Sequence, residues 1–329
     1  MARHRRLRHR QPHQPRLRAV AGVHAGHGGG VHHREPRHRS RHRPHRPEGG
    51  ALTRIARHLA RGNPLDLAGF ALFGLLCLTA AFGPLLVAHD PLATDAAAML
   101  QPPSARHWFG TDQIGRDILA RVVVAARLDL LIAAGAVGLS MVAGSIMGAF
   151  IGYRGGWADV VVSRLVDVMM AFPLFVLAMA LVAALGNSVA NVVYATAIVN
   201  LPFYIRLARA EVRLRRDLGY VEAARVGGAG DGRILMRHLV PNIAAPLVIQ
   251  GSVNLGWAVL NAAGLSFLGL GVRPPAAEWG IMVAEGVRFI ASGQWWIATF
   301  PGLALMLAVL AFNLLGDALR DLLDPRLRT

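Results

Sequence analysis

The residue types that carry most enzyme chemistry are scarce in this sequence. All 35 residues counted as Lys or Arg are Arg, so the chain has no lysine for a phosphate-binding loop or for a Schiff base. Cys77 is the single cysteine, which excludes internal disulfides and multi-cysteine metal sites. Beyond the first fifty residues, the histidines are His58, His89, His107 and His238, scattered over four separate loops. We therefore predict no catalytic centre, no bound cofactor and no metal site on this chain.

One polar segment between apolar stretches has the features of a surface that docks another protein. Glu222-Ala223-Ala224 favours a helix, and Gly227-Gly228 ends it at a position that tolerates left-handed backbone. Asp231 is expected to cap the next turn, and Pro241 to separate this unit from the apolar stretch that follows. We interpret residues 220–242, within a loop at 206–242, as a helix–turn–helix on the inner face of a membrane.

The composition is that of a membrane protein. Hydrophobic residues make up 54% of the 329, only 16% are charged, and the mean hydropathy is +0.41, whereas soluble domains carry about 25% charged residues. The net charge of +16 is misleading, because residues 1–50 contain thirteen Arg and two Glu. A nucleic-acid-binding function would rest on that tail alone, so we predict no nucleic-acid partner.

The tail at 1–50 also contains ten of the fourteen His, with too few apolar residues to form a core. We expect it to be disordered. Its charge is compatible with a nucleic-acid or anionic-lipid arm, and its histidines with a metal-binding tract. The interpretation we favour is that it has no function, because such a composition arises when GC-rich DNA is translated out of frame or upstream of the true start.

Uncharged stretches of about 20 residues locate membrane spans. We predict an all-α integral membrane protein with six transmembrane helices, at 67–88, 130–153, 168–185, 189–205, within 239–272 after Pro241-Asn242, and at 297–316. The turn signal Gly186-Asn187-Ser188 separates the third span from the fourth. In the second span, Gly144, Gly148 and Gly152 recur every four residues, which predicts a face that packs closely against another helix.

Arginine placement orients the spans, since cytoplasmic segments carry an excess of positive charge. The loop at 206–238 has eight Arg against four acids, whereas residues 89–129 have four Arg and five Asp. Both termini are then cytoplasmic. The predicted order is a cytoplasmic lead-in at 51–66, the first span, an extracytoplasmic segment at 89–129, a five-helix core at 130–316 and a cytoplasmic tail at 317–329.

Five motifs in this order resemble one family. Glu222-Ala223-Ala224, with Gly228 after it and Val240-Pro241 at its end, resembles the EAA loop of permease subunits of binding-protein-dependent ABC importers. Four others resemble the dipeptide/oligopeptide/nickel branch: Phe109-Gly110-Thr111-Asp112 with Gly115-Arg116-Asp117; Gly152-Tyr153-Arg154-Gly155-Gly156-Trp157; Leu265-Ser266-Phe267-Leu268-Gly269-Leu270-Gly271 with Pro274-Pro275 and Trp279-Gly280; and Phe312-Asn313-Leu314-Leu315-Gly316-Asp317 with Leu319-Arg320-Asp321 and Asp324-Pro325-Arg326-Leu327. The resemblance covers roughly residues 65–328.

The resemblance implies half of a translocation pathway in a bacterial inner membrane. Its partners would be a second permease subunit, two ATPase subunits that hold ATP and Mg²⁺, and an extracytoplasmic solute-binding protein. The EAA loop would be a cytoplasmic coupling helix between spans four and five. By the resemblance, Glu222 would pair with a basic group of the ATPase, Ala223 and Ala224 would let the helix seat, Gly228 would set the turn and Pro241 would end the unit.

The outer motifs allow two interpretations. Asp112, Arg116 and Asp117 would either contact the solute-binding protein or stabilise an outer amphipathic helix. Pro274 and Trp279 are similarly open, because an interfacial Trp often only anchors a protein at its depth in the membrane.

The function we favour is import of dipeptides or oligopeptides, the common substrates of the branch; nickel complexes or other small solutes are the alternative. A self-contained channel or secondary transporter is disfavoured, because the predicted spans have no charge at their centres. A membrane-embedded enzyme is disfavoured by the scattered histidines.

Overall fold

The structure is a computed structural model that describes residues 64–323. The predicted tail at 1–50, nearly all of the lead-in at 51–66 and the Asp324-Pro325-Arg326-Leu327 motif lie outside the described residues. Within 64–323 the regular structure is helical, apart from one isolated bridge between Thr111 and Asp117. This confirms the predicted all-α class.

Nine α-helices make up this part of the chain. They are α1 (Pro64–Leu86), α2 (Ile118–Arg154), α3 (Gly156–Ala171), α4 (Leu174–Leu185), α5 (Val189–Arg215), α6 (Gly219–Val226), α7 (Asp231–Phe267), α8 (Trp279–Val287) and α9 (Trp296–Leu323). A short 3₁₀ turn at Ala96–Ala98 precedes α2. The central helix is α2, which packs most extensively on α5 and also on α1 and α7, while α9 packs on α1, α7 and α8.

The predicted glycine face of α2 is confirmed, and it meets α5. A Cβ atom at Gly148 would lie 2.3 Å from the Ile205 carbonyl oxygen, and one at Gly152 would lie 2.8 Å from the Arg209 carbonyl oxygen. The backbones of α2 and α5 therefore touch without intervening side chains, as small residues allow in membrane bundles.

Between residues 64 and 323, four helices, α1, α2, α7 and α9, are each long and apolar enough to cross a membrane. The pair α3–α4 qualifies only when taken together, and it is bent by 95°. The continuous span predicted at 168–185 is therefore wrong. The cause is Pro173, which lacks a backbone N–H and disfavours helical backbone at the preceding residue; Phe172 is extended, with ψ of 146°.

Pro241 does not end a helix, so the predicted separation from the following span is wrong. The helical backbone runs on from Asp231 to Phe267. It widens to a π-helix at Ile234–Leu239 and tightens to a 3₁₀ turn at Val240–Ile243. Because the hydrogen-bond register changes there, the proline ring and its missing N–H are accommodated locally.

Candidate functional site

The segment from Gly219 to Arg233, called the elbow below, consists of α6, a tight turn and the start of α7. Gly228 has a φ of +81°. The amide of Ala229 donates to the Ala224 carbonyl at 3.0 Å, and the amide of Gly228 donates to the Arg225 carbonyl at 3.0 Å. These two bonds form a Schellman motif with Gly228 at its left-handed position. The predicted stop at this glycine pair is confirmed.

One face of the elbow is held by the apolar core. Val221 is fully buried, and Ala224 and Ala229 pack partly against the same core cluster. Ile234 and Leu239, at the start of α7, are also fully buried in that cluster. The elbow is therefore anchored on both sides of its turn.

The C-terminal end of α2 holds the elbow through polar contacts. The Tyr153 hydroxyl donates to the Asp231 carboxylate at 2.8 Å. Arg216, just before the elbow, donates to the Gly152 and Tyr153 carbonyl oxygens at 3.3 Å each. Asp231 is the first residue of α7, and Gly230 is its N-cap. The predicted capping role of Asp231 is wrong, because its carboxylate accepts from Tyr153 of a different helix.

The opposite face of the elbow is open. Glu222, Ala223 and Gly228 are exposed, and Val226 is 86% exposed. Among residues 64–323, no hydrogen bond or ion pair within 4.0 Å involves the Glu222 side chain, although the exposed Arg225 of the same helix attracts its charge. An unpaired carboxylate beside small residues and an exposed Val is a surface that a basic and partly apolar partner can fit.

The outer motif around residues 109–121 forms a buried ion-pair network. Arg116 donates to Asp112 at 2.6 Å and to Glu285 of α8 at 3.3 Å. Arg121 lies 3.6 Å from the same Glu285 carboxylate and 3.9 Å from Asp112. Asp112, Arg116 and Arg121 are at most 4% exposed. The network thus ties the start of α2 to α8.

Asp117 caps α2 and joins two histidines. One of its carboxylate oxygens accepts from the Ala120 amide at 2.8 Å, and the other lies 2.8 Å from His107 Nδ1 and 3.8 Å from His89 Nδ1. The two imidazole centroids are 4.9 Å apart. The prediction of scattered histidines is therefore wrong for this pair, because folding brings together loops that are 18 positions apart in the sequence.

Trp279 is fastened inside the protein. Its indole N–H donates to the Val122 carbonyl at 2.9 Å, and its backbone N–H donates to the Asp129 carboxylate at 3.1 Å. The preceding Glu278 is fully buried and accepts from two backbone amides in the first turn of α8. Burial raises the pKa of Glu278.

The residues predicted to face a binding protein are thus mostly internal. Asp112, Arg116 and Asp117 are buried and paired, which favours the structural alternative for each. Trp279 is also buried, so within this chain it presents neither a surface for a binding protein nor an anchor in the membrane interface; Pro274 is exposed. The sequence analysis did not identify the residues that pair with these buried groups, because they are distant in the sequence or lie outside the recognised motifs. They are Arg121, Asp129, Glu278, Glu285 and His89. The charges of segment 89–129 were a signal for such partners, but they did not indicate the pairing.

The elbow and the outer network contact opposite ends of α2. The elbow meets Gly152 and Tyr153 at the C-terminal end, whereas the network involves residues 117–129 at the N-terminal end. A helix of 37 residues is about 55 Å long at 1.5 Å per residue, which exceeds the thickness of a hydrocarbon core, about 30 Å. The two sites are therefore far enough apart to lie on opposite sides of a bilayer.

The chain matches two models of membrane transport families. Residues 141–329 match the family described as "Binding-protein-dependent transport system inner membrane component". Residues 52–103 match the "N-terminal TM domain of oligopeptide transport permease C".

Individual relatives extend the match over most of the chain. The probable D,D-dipeptide transport system permease protein DdpC of Escherichia coli (strain K12) is 44% identical over 268 residues, covering 82% of this chain and 90% of that protein. The dipeptide transport system permease protein DppC of Alkalihalophilus pseudofirmus is 43% identical, covering 81% and 88%. The di/tripeptide transport system permease protein DppC of Pseudomonas aeruginosa is 42% identical, covering 80% and 88%. The chain therefore belongs to the family of inner-membrane permease components of binding-protein-dependent ABC transport systems, as its motifs indicated.

Proposed function

We propose that this chain forms one half of the translocation pathway of an ATP-driven peptide importer and couples that pathway to a separate ATPase through the elbow. The observation that carries the proposal is the two-sided construction of the elbow. One face is fastened to the core by Val221 and to α2 through Asp231. The other face presents the unpaired Glu222 beside Ala223 and Val226.

The proposed topology has six spans. They are α1, α2, the bent pair α3–α4, α5, α7 and α9. Starting from a cytoplasmic N-terminus, this order places the elbow and both termini in the cytoplasm, and it places the outer network and α8 outside. The arginine excess of residues 206–238 supports that orientation, as does the contact of the elbow with the C-terminal end of α2.

The coupling mechanism follows from how the elbow is mounted. We propose that ATP and Mg²⁺ bind to the partner ATPase, since this chain has no lysine for a phosphate-binding loop. Closure of two ATPase subunits would push on the Glu222 face. Because Val221 and Asp231 bind the elbow to the bundle, the displacement would be transmitted to α2 and α7 instead of being absorbed by the loop.

The remaining partners follow from the family. A second permease subunit would complete the pathway, and an extracytoplasmic solute-binding protein would deliver the substrate to the outer side, where Pro274 is exposed. Dipeptides or short oligopeptides are the proposed substrates, because the relatives at 42–44% identity are named as dipeptide and di/tripeptide permeases. Nickel complexes or other small solutes are the alternative within the same branch.

The first test is to purify the tagged chain from native membranes in mild detergent and to identify co-purifying proteins by mass spectrometry. We expect a second permease and an ATPase. Glu222→Arg should lose the ATPase, because it places a cation where the proposed partner is basic. Asp217→Arg is the matched control. Asp217 lies just before the elbow and is 78% exposed, and its 3.4 Å ion pair with Arg216 is a surface pair whose loss costs little, so its reversal should leave the complex intact.

Recovery of the chain as a homo-oligomer without an ATPase would contradict the proposal and favour a self-contained channel.

The second test uses the purified complex in proteoliposomes with its solute-binding protein. Uptake of a labelled dipeptide should require ATP and should be lost in Glu222→Arg but not in Asp217→Arg. Uptake of a nickel complex instead of the peptide would support the proposed coupling to the ATPase but would contradict the proposed peptide substrate.

A further inference from the structure

Two histidines and one aspartate outside the proposed coupling site form a compact set of ligand atoms. His89, His107 and Asp117 each place one nitrogen or oxygen within 4.8 Å of the other two. His89 follows the end of α1, and Asp117 caps the start of α2. The set therefore bridges the two helices at the end of the molecule opposite the elbow.

The set is partly fixed and partly open. The side chains of Asp117 and His107 are 5% and 7% exposed, whereas that of His89 is 39% exposed. His89 and Asp117 also line a groove of about 850 Å³ between α1 and the start of α2. Two ligands are thus held by the fold, while the third is reachable from outside.

The donor atoms fit a transition metal in both chemistry and spacing. Two imidazoles and one carboxylate are a common set for Zn²⁺. Ligands at about 2.0–2.1 Å in tetrahedral geometry lie about 3.3 Å from one another. The observed separations from the Asp117 oxygen, 2.8 Å to His107 Nδ1 and 3.8 Å to His89 Nδ1, lie on either side of that value. Shifts of about 0.5 Å would bring these two separations to the tetrahedral value, and the two imidazole nitrogens, which lie within 4.8 Å of each other, would approach by at most about 1.5 Å.

A purely structural role accounts for only two of the three residues. Asp117 caps α2 and bonds to His107 without any need for His89. The second imidazole, that of His89, lies 4.9 Å from the first, on the open side of the same carboxylate. Helix capping by Asp117 does not require it. His89 is therefore the residue that distinguishes a ligand set from a capping pair.

We propose that His89, His107 and Asp117 bind a divalent transition metal such as Zn²⁺, with a fourth position left for water. When Nδ1 of His107 binds the metal, the imidazole proton is on Nε2. The bonds from the metal to His107 Nδ1 and to the Asp117 carboxylate then replace the hydrogen bond between these two residues. The metal would fasten the end of α1 to the start of α2 as a clasp on the outer side of the permease.

The test is site-resolved footprinting of the full-length chain with diethyl pyrocarbonate, using Zn²⁺ alone as the probe and mass spectrometry as the readout. We expect Zn²⁺ at about ten times its Kd or more to slow the modification of His89 by at least about tenfold, because mass action then leaves no more than about a tenth of the sites free. His238 lies in the elbow-proximal part of α7 and should be modified equally with and without Zn²⁺. The ten histidines of residues 1–50 fall in separate peptides and do not affect this readout.

Two variants separate the clasp from nonspecific protection. Asp117→Asn retains an oxygen that can cap α2 but removes the carboxylate ligand, and His107→Gln removes an imidazole; each should abolish the protection of His89. A matched variant, His238→Ala, should leave it unchanged. If Zn²⁺ does not slow modification of His89, or slows it equally in Asp117→Asn and His107→Gln, the proposal is overturned.

A second readout does not depend on reagent access. Zn²⁺ should raise the unfolding temperature of the detergent-solubilised chain, because a ligand that binds only the folded state stabilises it. The tail histidines contribute equally in every variant, so the difference between wild type and His89→Ala isolates the clasp. An identical Zn²⁺ response in these two chains would also overturn the proposal.

Discussion

Gly148 is the position where the packing of α2 on α5 leaves least room. A Cβ atom there would lie 2.3 Å from the Ile205 carbonyl oxygen and 2.9 Å from the Ile205 Cα atom. Both neighbours are backbone atoms, so no side chain can rotate away. Gly148→Ala therefore requires α2 and α5 to separate locally by about 1 Å to reach ordinary contact distances, about 3.5 Å or more.

The magnitude follows by comparison with a glycine of the same helix. Overpacking of this kind costs about 1–3 kcal/mol, and replacing a mid-helix Gly with Ala returns about 1 kcal/mol of helix propensity. At Gly138, also within α2, a Cβ atom would meet nothing within 4 Å. The propensity gain is common to both substitutions. Gly148→Ala should therefore be less stable than Gly138→Ala by about 1–3 kcal/mol, the cost of the overlap alone.

The assay is reversible unfolding of the two variants and the wild type in mixed micelles, followed by helical circular dichroism. Gly138→Ala should be as stable as the wild type or more stable, and Gly148→Ala less stable than Gly138→Ala. Equal stability of the two variants would refute the close approach of α2 and α5 that we infer. A larger loss in Gly148→Val than in Gly148→Ala would support the steric cause.

Two further predictions concern the elbow and the outer network. Gly228→Ala should destabilise the elbow turn by about 1–2 kcal/mol, because an L-residue disfavours the left-handed backbone. Tryptic cleavage after Arg225 should therefore be faster than in the wild type. Gly230→Ala is the control and should be cleaved at the wild-type rate, because Gly230 has a φ of −70° and open space around it. Burial raises the pKa of Glu278; its ionisation therefore favours unfolding, so stability should fall as the pH rises from the usual Glu pKa through the raised value. Glu278→Gln should flatten that decline in unfolding temperature, and parallel profiles would contradict the assignment.

Features that depend on neighbouring residues were predictable. The apolar stretches indicated membrane helices because burial in lipid demands about 20 consecutive apolar residues. The glycine spacing in α2 indicated a packing face, and Gly227-Gly228 indicated the end of α6; both depend on local backbone geometry. The order of five motifs was sufficient to identify the family that the comparisons show.

Helix boundaries predicted from charge-free stretches and from proline were wrong in two places. An uncharged stretch indicates the part of a helix that crosses the lipid, but it does not indicate where the helix begins. The predicted start of α2 at residue 130 was therefore twelve residues too late, since the helix begins at Ile118. Pro241 was expected to end a helix, yet a π-helical turn before it keeps the backbone continuous. At Pro241 the helix extends through a residue that an isolated helix would not favour, because tertiary packing supplies the stability.

By itself, the sequence determined the helical class, the family and the position of the elbow, because hydropathy and turn chemistry act over a few residues. Only the tertiary structure decided which polar groups meet. Arg116 and Glu285 pair across 169 positions, and His89, His107 and Asp117 converge from separate loops. The physical reason is that charge and hydrogen-bond complementarity operate at about 3–4 Å in space, and a linear sequence does not record which of its distant segments the fold brings within that distance.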